Sequence, residues 1–272
     1  AALGAVQGFG VDEALSRVPG VVAQSRYGAS DVRLMIRGYG ARGAGDRSNA
    51  GTTRGVRVLL DGFPETEPDG RTALDQVDFA LADNVEVVRS NASSVYGNAA
   101  GGVVSVSTAP ATDAPVAELR PMAGAFGLQR YVARLAAPLG AARGAGGGVA
   151  WANFSNTSFG GWRAHSSARR ALVTAGATGR VGDATRLGVA LSAANTLLHI
   201  PGPLTQAQAD ADPRQANAAY QARGERRHNR TGRLGVTVEH DLTPTASLSS
   251  ALYVNPKYLQ RSERNTFRDF TR

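Results

Sequence analysis

The chain of 272 residues contains no cysteine, so neither a disulfide framework nor a thiolate metal site is possible. Aromatic residues make up only 6% of it, whereas glycine occurs 33 times. This composition suits strands and turns better than one dense soluble core. No run of about 18 apolar residues occurs, so no transmembrane helix is predicted. The chain begins at AALGAVQGFG without the charged region of a signal peptide, and we expect further sequence upstream of it.

Acidic side chains are outnumbered by basic ones, which gives a net charge of +8, and Lys257 is the only lysine. A basic protein can bind nucleic acid, anionic lipid or anionic ligands, although arginine richness can also reflect codon usage. No basic run with interleaved aromatic residues occurs, which argues against nucleic acid. The four histidines are dispersed and no Ser/His/Asp or Cys/His group is recognisable. We therefore predict neither an enzyme nor a resident metal or cofactor.

Residues 1–112 alternate short elements in a way typical of an α+β domain, and about 100 residues suffice for one. The predicted elements are a helix at 11–18, an extended segment from 21, strands at 32–36, 56–60, 85–88 and 103–106, and helical turns at 72–76 and 93–96. Asp61-Gly62 is a turn signal that ends the second of these strands. Polar loops at 38–55 and 63–71 separate the strands.

The pattern G-x-G-x-x-G at residues 38–43 follows a predicted strand, as it does in dinucleotide-binding proteins. Such a site needs a long helix after the last glycine, because the helix N-terminus holds the pyrophosphate. The next residues, AGDRSNAGTTRG, do not have a helical pattern. A soluble nucleotide-binding enzyme is therefore an alternative that would require a helix after Gly43.

Residues 113–272 change to a period of two. In segment 129–137, Tyr131 and Leu135 share one face, whereas Arg130 and Arg134 lie on the other. Similar alternation, stronger or weaker, occurs at 116–124, 148–156, 170–178, 186–194, 232–240 and 246–255. Segments of about 9–11 residues have the length that a tilted strand needs to cross a bilayer. Alternation of apolar outward and polar inward residues is typical of a transmembrane β-barrel.

The links between these seven predicted strands support that interpretation. The two longest links, 157–167 and 196–229, fall on the same side of the strands, and only the first link on that side is short. Bacterial barrels alternate short periplasmic turns with longer external loops, a pattern that a soluble β-sandwich does not predict. Plugged transporters have about 22 strands. We therefore expect an incomplete antiparallel barrel, with about seven strands present.

Segment 86–97 reads EVVRSNASSVYG and is followed by Gly101-Gly102 and a strand. It resembles the end of the plug domain in TonB-dependent outer-membrane receptors, E-V-x-R-G-P-x-S-x-x-Y-G, with Ser90-Asn91 in place of Gly-Pro. Three earlier plug landmarks match in order, and they are VPGV at 18–21, IRG at 36–38 and LLDG at 59–62. Further along, PGPLT and NPKYL favour receptors for ferric siderophores or ferric citrate.

The resemblance implies a plug domain at 1–112 and the first part of a barrel at 113–272, in the outer membrane of a Gram-negative bacterium. It implies active uptake of a ferric siderophore or similar scarce chelate, with iron only as part of the cargo. The implied partners are outer-membrane lipid, the ferric chelate, and TonB, which is energised by ExbB and ExbD and binds an N-terminal box expected upstream. A truncated or degraded receptor that binds without transport is the alternative.

The resemblance also places the two polar loops of the plug at the apical side, where ligand binds. The candidate ligand-binding residues are Arg42, Arg47, Arg54 and Arg71. Their guanidinium groups suit an anionic ferric chelate through charge-assisted hydrogen bonds. Arginines that are merely solvated in the loops are the alternative. Acidic residues of the second loop, Glu65 among them, would repel an anion, so the charge of the ligand stays open.

Two further arginines have an implied structural role. Arg37 and Arg89 stand at the family positions whose arginines pair with barrel glutamates and lock the plug in place. Since a buried unpaired arginine is costly, both need acidic partners. Glu86 is a local candidate partner, and the barrel glutamates of the family would follow Arg272. A salt bridge without a gating role is the alternative.

Overall fold

The computed structural model describes residues 15–25, 32–40, 55–66, 72, 74–140 and 147–262. Two small sheets form an N-terminal unit. Its strands are β1 (Val21–Ser25), β2 (Val32–Ile36), β3 (Val56–Leu60), β4 (Phe63–Pro64), β5 (Asn84–Val88) and β6 (Gly102–Ser107). β1 and β2 pair antiparallel, and the others form a sheet in the order β4-β3-β6-β5. β3 and β6 are parallel and largely buried, which suits their valine-rich sequences.

Apolar side chains from both sheets share one core. Leu34 and Ile36 of β2 pack with Val58 and Leu60 of β3, and with Val104 of β6. The predicted turn at Asp61-Gly62 joins β3 to β4 as a two-residue hairpin loop, with φ of 51° and 83°. Positive φ at both central residues is the geometry that matches the twist of the flanking strands.

The predicted strands of the N-terminal unit are confirmed, and so is the helical turn, which is α1 (Ser93–Tyr96). The helical turn predicted at 72–76 is wrong. Thr72 instead forms a β-bridge with Thr66, and their hydroxyl oxygens are 2.9 Å apart. This bridge holds a β-branched residue in extended backbone, which a helical turn would exclude. Most of the predicted helix at 11–18 lies outside the described residues.

A large antiparallel sheet follows. Its strands are β7 (Val116–Gly124), β8 (Leu128–Leu139), β9 (Gly148–Phe159), β10 (Ala168–Val181), β11 (Thr185–His199), β12 (Arg226–Thr243), β13 (Ala246–Val254) and β14 (Lys257–Ser262). The seven predicted strands are confirmed, and each pairs with its sequence neighbour. β14 was not predicted. It pairs with the first part of β12, beyond the Asn255-Pro256 interruption that ends β13. The described strands form an open sheet.

The links fall into two groups at opposite ends of the sheet. A 3-10 turn (Ala125–Gly127) and links 160–167 and 200–225 lie at one end, here called the long-link end. Links 182–184 and 244–245 lie at the short-turn end, together with the end of β8 and the start of β9. The longest link contains α2 (Gln206–Ala211) and α3 (Ala218–Ala222), which the sequence analysis treated as loop. Among the described residues, no helix is long and apolar enough to cross a membrane.

The two faces of the large sheet differ in chemistry, as the period of two predicts. Along β11, Ala190, Ser192 and Ala194 are buried against the N-terminal unit, whereas Val189 and Leu191 are exposed. We call the buried face the inner face and the other the outer face. Because side chains alternate along a strand, one sequence provides both surfaces. The inner face positions the candidate functional site.

Candidate functional site

The segment that joins β4 to β5 lies on the inner face of the large sheet, and Asp78 is the centre of this contact. Its carboxylate accepts a hydrogen bond from Arg130 of β8 at 2.6 Å and one from Ser155 of β9 at 2.7 Å. It also accepts from the Ala80 backbone N–H at 3.0 Å, which shapes the local turn. Asp78 is 5% exposed and Arg130 is 2% exposed. A buried carboxylate with several charge-assisted hydrogen bonds fixes the register between the two units.

Arg170 of β10 binds the backbone of the same segment. Its Nη2 donates to the carbonyl oxygens of Asp75 at 2.8 Å and Val77 at 2.7 Å, with a longer contact to that of Leu74 at 3.4 Å. Carbonyl oxygens of an irregular buried segment need such partners, because no sheet ladder satisfies them. One guanidinium group therefore stabilises a turn that has little regular structure of its own.

A second buried ion pair lies near the β3–β4 hairpin. Arg233 of β12 donates to the Glu65 carboxylate, and both side chains are almost completely buried. The Arg233 guanidinium carbon also lies 5.4 Å from the centre of the Phe63 ring, within the range of a cation–π interaction. The same ring packs over Gly235, where an added Cβ would come within 2.4 Å of it. Glycine at this position therefore allows close approach of the two units.

A third contact connects the end of β6 to the sheet. Asp61 accepts from the Thr108 backbone N–H at 2.7 Å and from its hydroxyl at 2.9 Å. The Trp151 indole N–H donates to the same hydroxyl oxygen at 3.0 Å, and Asn153 donates to the Thr108 carbonyl at 3.2 Å. The hairpin turn, the last residues of the N-terminal unit and β9 are thus joined in one buried hydrogen-bond network.

The pKa values of Asp78 and Asp61 are shifted in opposite directions. Burial is the largest influence on Asp78 and opposes its ionisation, but the guanidinium groups of Arg170 and Arg130, together with hydrogen bonds, outweigh it and lower the pKa of Asp78. Burial raises the pKa of Asp61, and the hydrogen bonds from Thr108 offset this only in part. Charge pairing therefore favours the carboxylate form at Asp78, whereas desolvation dominates at Asp61.

A family model described as TonB-dependent receptor plug domain matches residues 1–103. The N-terminal unit is a TonB-dependent receptor plug domain. The resemblance drawn from the sequence motifs is thereby confirmed, and the plug domain is followed by the predicted antiparallel strands. The contacts of Thr108, Glu65 and Asp78 with the large sheet are accordingly contacts between plug and strands.

Solved structures of TonB-dependent receptors share this fold. The chain is similar to the ferric citrate transporter FecA in its unliganded form, with 19% identity, a TM-score of 0.71, and coverage of 93% of this chain and 38% of that one. It is also similar to BauA, the ferric preacinetobactin receptor from Acinetobacter baumannii, with 15% identity, a TM-score of 0.67, and coverage of 94% of this chain and 36% of that one. For P. aeruginosa FpvA bound to a heterologous pyoverdine, the identity is 16% and the TM-score 0.67, with coverage of 93% of this chain and 32% of that one. The chain therefore spans about a third of the length of these structures.

The candidate ligand-binding residues of the plug, Arg42, Arg47, Arg54 and Arg71, lie outside the described residues, so their role stays a prediction. The predicted lock residues are described: Arg37, Glu86 and Arg89 are all exposed. Arg89 Nη1 donates to the Pro19 carbonyl at 2.7 Å, which joins the end of β5 to the turn before β1. Their role as a plug lock also stays a prediction.

The plug–strand contacts were not predicted from the sequence. Arg130 was predicted to lie on the polar face of β8, opposite Tyr131, without a partner. Asp78 is 52 residues from Arg130, and Glu65 is 168 residues from Arg233. A usable signal was the recurrence of arginine at inward positions of β8, β10 and β12, because buried arginines require acidic or carbonyl partners.

Proposed function

We propose that the chain is part of a TonB-dependent transporter in the outer membrane that takes up a ferric siderophore or a similar scarce chelate. One observation carries this proposal, namely a plug domain bound by buried ion pairs to strands whose opposite face is apolar. In that arrangement the strands face lipid and the plug blocks the space that they enclose. Uptake then requires the plug to move or rearrange against the strands, and the ion pairs of Asp78 and Glu65 hold the resting position.

The outer face supports a membrane position. Cross-strand rows such as Leu191–Leu234–Val254 and Val189–Val236–Leu252 run across neighbouring strands. Along β11 the apolar outward run is flanked by the polar residues Thr185 and Asn195. The ten residue steps from Thr185 to Asn195, at about 3.3 Å each along a strand tilted by about 40°, span roughly 25 Å along the membrane normal. This is about the height of the apolar band of outer-membrane proteins.

The cargo and the energy source rest on the family. The FecA, BauA and FpvA structures are those of proteins whose names or bound ligands concern ferric citrate, ferric preacinetobactin and pyoverdine. For this protein we propose a ferric chelate as cargo and TonB, with ExbB and ExbD, as the energy-coupling partner. Pulling on the plug domain would open the path, and no covalent bond of the chelate is changed.

Uptake of radiolabelled ferric citrate and of a panel of ferric siderophores tests this function. Cells that produce the full-length protein should accumulate at least one chelate, and deletion of TonB should abolish accumulation while surface binding remains. A receptor that binds without transport would show binding in both strains and uptake in neither. Uptake that is independent of TonB, or no binding of any chelate tested, would refute the proposed function.

A further inference from the structure

Basic side chains cluster on the outer face at the long-link end. Arg169 of β10 is level with Leu197 of β11 and His228 of β12. Arg230, in the next row, is paired with Asn195, and its guanidinium lies 6.0 Å from the centre of the Tyr258 ring. Arg226 is level with His199 in the row beyond. Among the described residues, no carboxylate lies within ion-pairing distance of Arg169, Arg226 or Arg230. We call these three arginines and His228 the basic outer cluster.

The cluster lies directly beside the apolar rows. The outward residues of β11 change from Ala193 to Asn195 within about 7 Å of strand length. Tyr131 belongs to the same row as Asn195, three strands away. Aromatic and basic side chains at the edge of an apolar band are typical of the level at which lipid headgroups begin. The position of the cluster therefore indicates the membrane surface.

A groove adjoins the cluster. It has a volume of about 360 Å³ and is lined by outer-face residues Ser158, Arg169 and Leu197, and by His199 and Ser167 at the edge. Its lining combines a guanidinium group, hydroxyl groups and an aliphatic side chain. Neighbouring strands are about 4.8 Å apart, so Arg169 and His228 are about 10 Å apart across Leu197. This spacing suits a headgroup that carries more than one phosphate.

On the basis of the proposed membrane location, we infer that the basic outer cluster binds the phosphate groups of a membrane lipid headgroup at the long-link end, with the adjoining groove accommodating part of that headgroup. Charge complementarity selects the occupant, because arginines without carboxylate partners at the edge of an apolar band match phosphate better than a neutral headgroup or a protein surface. Within the cluster, Arg230 Nε donates to His228 Nε2 at 3.2 Å, which leaves the two terminal nitrogens of its guanidinium for a phosphate. Arginine suits this task, since its planar group binds phosphate oxygens in a bidentate manner.

Retention of lipid by the full-length protein tests the inference. The wild type and the double variant R169Q/R230Q are incubated in neutral-lipid nanodiscs with a bis-phosphorylated lipid or its dephosphorylated form. The control is R180Q/R186Q, which removes the same charge from two paired, inward positions at the short-turn end. Among the described residues, Arg180 donates to the Asp183 carbonyl. Each cationic group near a membrane surface contributes about a fivefold effect, so R169Q/R230Q should bind the phosphorylated lipid about 25-fold more weakly. The control should bind it like the wild type.

Several results would overturn the inference. These are equal retention of the dephosphorylated lipid, unchanged retention by R169Q/R230Q, or an equal loss in the control. Displacement of the lipid by millimolar inorganic phosphate would show a free-phosphate site instead of a headgroup site. Resistance to sodium dodecyl sulfate without heating, measured on each variant, checks that the double variant is folded. Failure of the proposed membrane location would appear differently, as a wild type that does not enter nanodiscs at all.

Discussion

Replacing Asp78 by asparagine should weaken the contact between plug and strands far more than the same change at Asp83. Both aspartates lie in the same plug segment, and both pair with an arginine of β8. The Asp78–Arg130 pair is buried, whereas the Asp83 side chain is 34% exposed and its contact with Arg134 is 3.4 Å. The two substitutions remove the same charge, so D83N is a matched control for D78N.

The magnitude follows from burial. Removing one partner of a buried ion pair costs about 3–5 kcal/mol, because the other charge stays in a low-dielectric site without compensation. Asparagine can still accept the hydrogen bond from the Ala80 backbone, so we expect the lower limit, about 3 kcal/mol. At 1.4 kcal/mol for each factor of ten, plug opening should become about 150-fold more frequent. An exposed pair contributes about 0.2–1 kcal/mol, so D83N should change opening by at most about fivefold.

Because the chain contains no cysteine, a single introduced cysteine can report how often the plug leaves the strands. Ala194 lies on the inner face of β11 and is buried against the plug segment, with Ala80 and Leu81 among its neighbours in the same apolar cluster. A cysteine introduced there would be the only thiol of this chain and would react only when the plug leaves the strands. The rate of thiol labelling by a membrane-impermeant maleimide then reports the opening equilibrium, provided that closing is fast relative to labelling.

Equal acceleration of labelling in D78N and D83N, or labelling of D78N at the wild-type rate, would contradict a dominant role of the buried Asp78–Arg130 pair. A second variant tests the proposed cause. Because D78N removes the negative charge that faces the buried Arg130 guanidinium, D78N/R130Q should label more slowly than D78N alone. Faster labelling of the double variant would show that Arg130 stabilises the plug through other contacts.

Three further predictions use the same interface and the opposite face. G235A should accelerate labelling of the Ala194→Cys reporter, since the new methyl group would overlap the Phe63 ring and overpacking costs about 1–3 kcal/mol. L191R, in the middle of the apolar rows, should lower the fraction of folded protein in the outer-membrane fraction, because arginine at the bilayer midplane costs about 2–4 kcal/mol. The folded-state pKa of Asp78 lies below its ordinary value, so its stabilisation is complete above about pH 3.9 and is lost as pH falls through the folded-state pKa, which hydrogen exchange of segment 74–83 should detect.

Each of these predictions has a contrasting outcome. G232A is the control on the same strand, because its Cβ would meet no atom closer than 3.7 Å, and an equal effect there would argue against the Phe63 contact. Normal membrane assembly of L191R would argue against a lipid-facing outer face, and N195R at the band edge should be tolerated. An acid-induced increase in exchange that persists in D78N would assign the pH dependence to another group.

The large sheet could be predicted from sequence because each strand separates two environments. Leu234 and Val236 are exposed while Arg233 and Gly235 are buried, so the sequence itself alternates with a period of two. The two helices of link 200–225 were missed, although Thr205 and Gln208 form a capping box that marks the start of α2. Short helices of five or six residues have no amphipathic repeat, so only their caps could indicate them.

The contacts of the candidate site could not be predicted in the same way. Asp78 and Glu65 lie in a segment without periodicity, and their partners are on strands far away in sequence. Pairing at such separations depends on the docking of two folded units, which no local pattern encodes. The recurrence of arginine at inward strand positions indicates that partners are needed, but the choice among several acidic residues depends on how the two units dock.

The chemistry of the plug–strand interface fits the plug movement that the proposed function requires. Buried ion pairs such as Asp78–Arg130 and Glu65–Arg233 add little net stability compared with apolar packing of the same volume, because desolvation offsets most of their attraction. They do specify a single docked register, since any shift leaves a buried charge without its partner. An apolar interface of similar extent would hold the plug more firmly and with less defined register. For the proposed transport function, an interface in which charged and polar pairs accompany small apolar clusters allows the plug to be held in one place and still be released by a modest applied force.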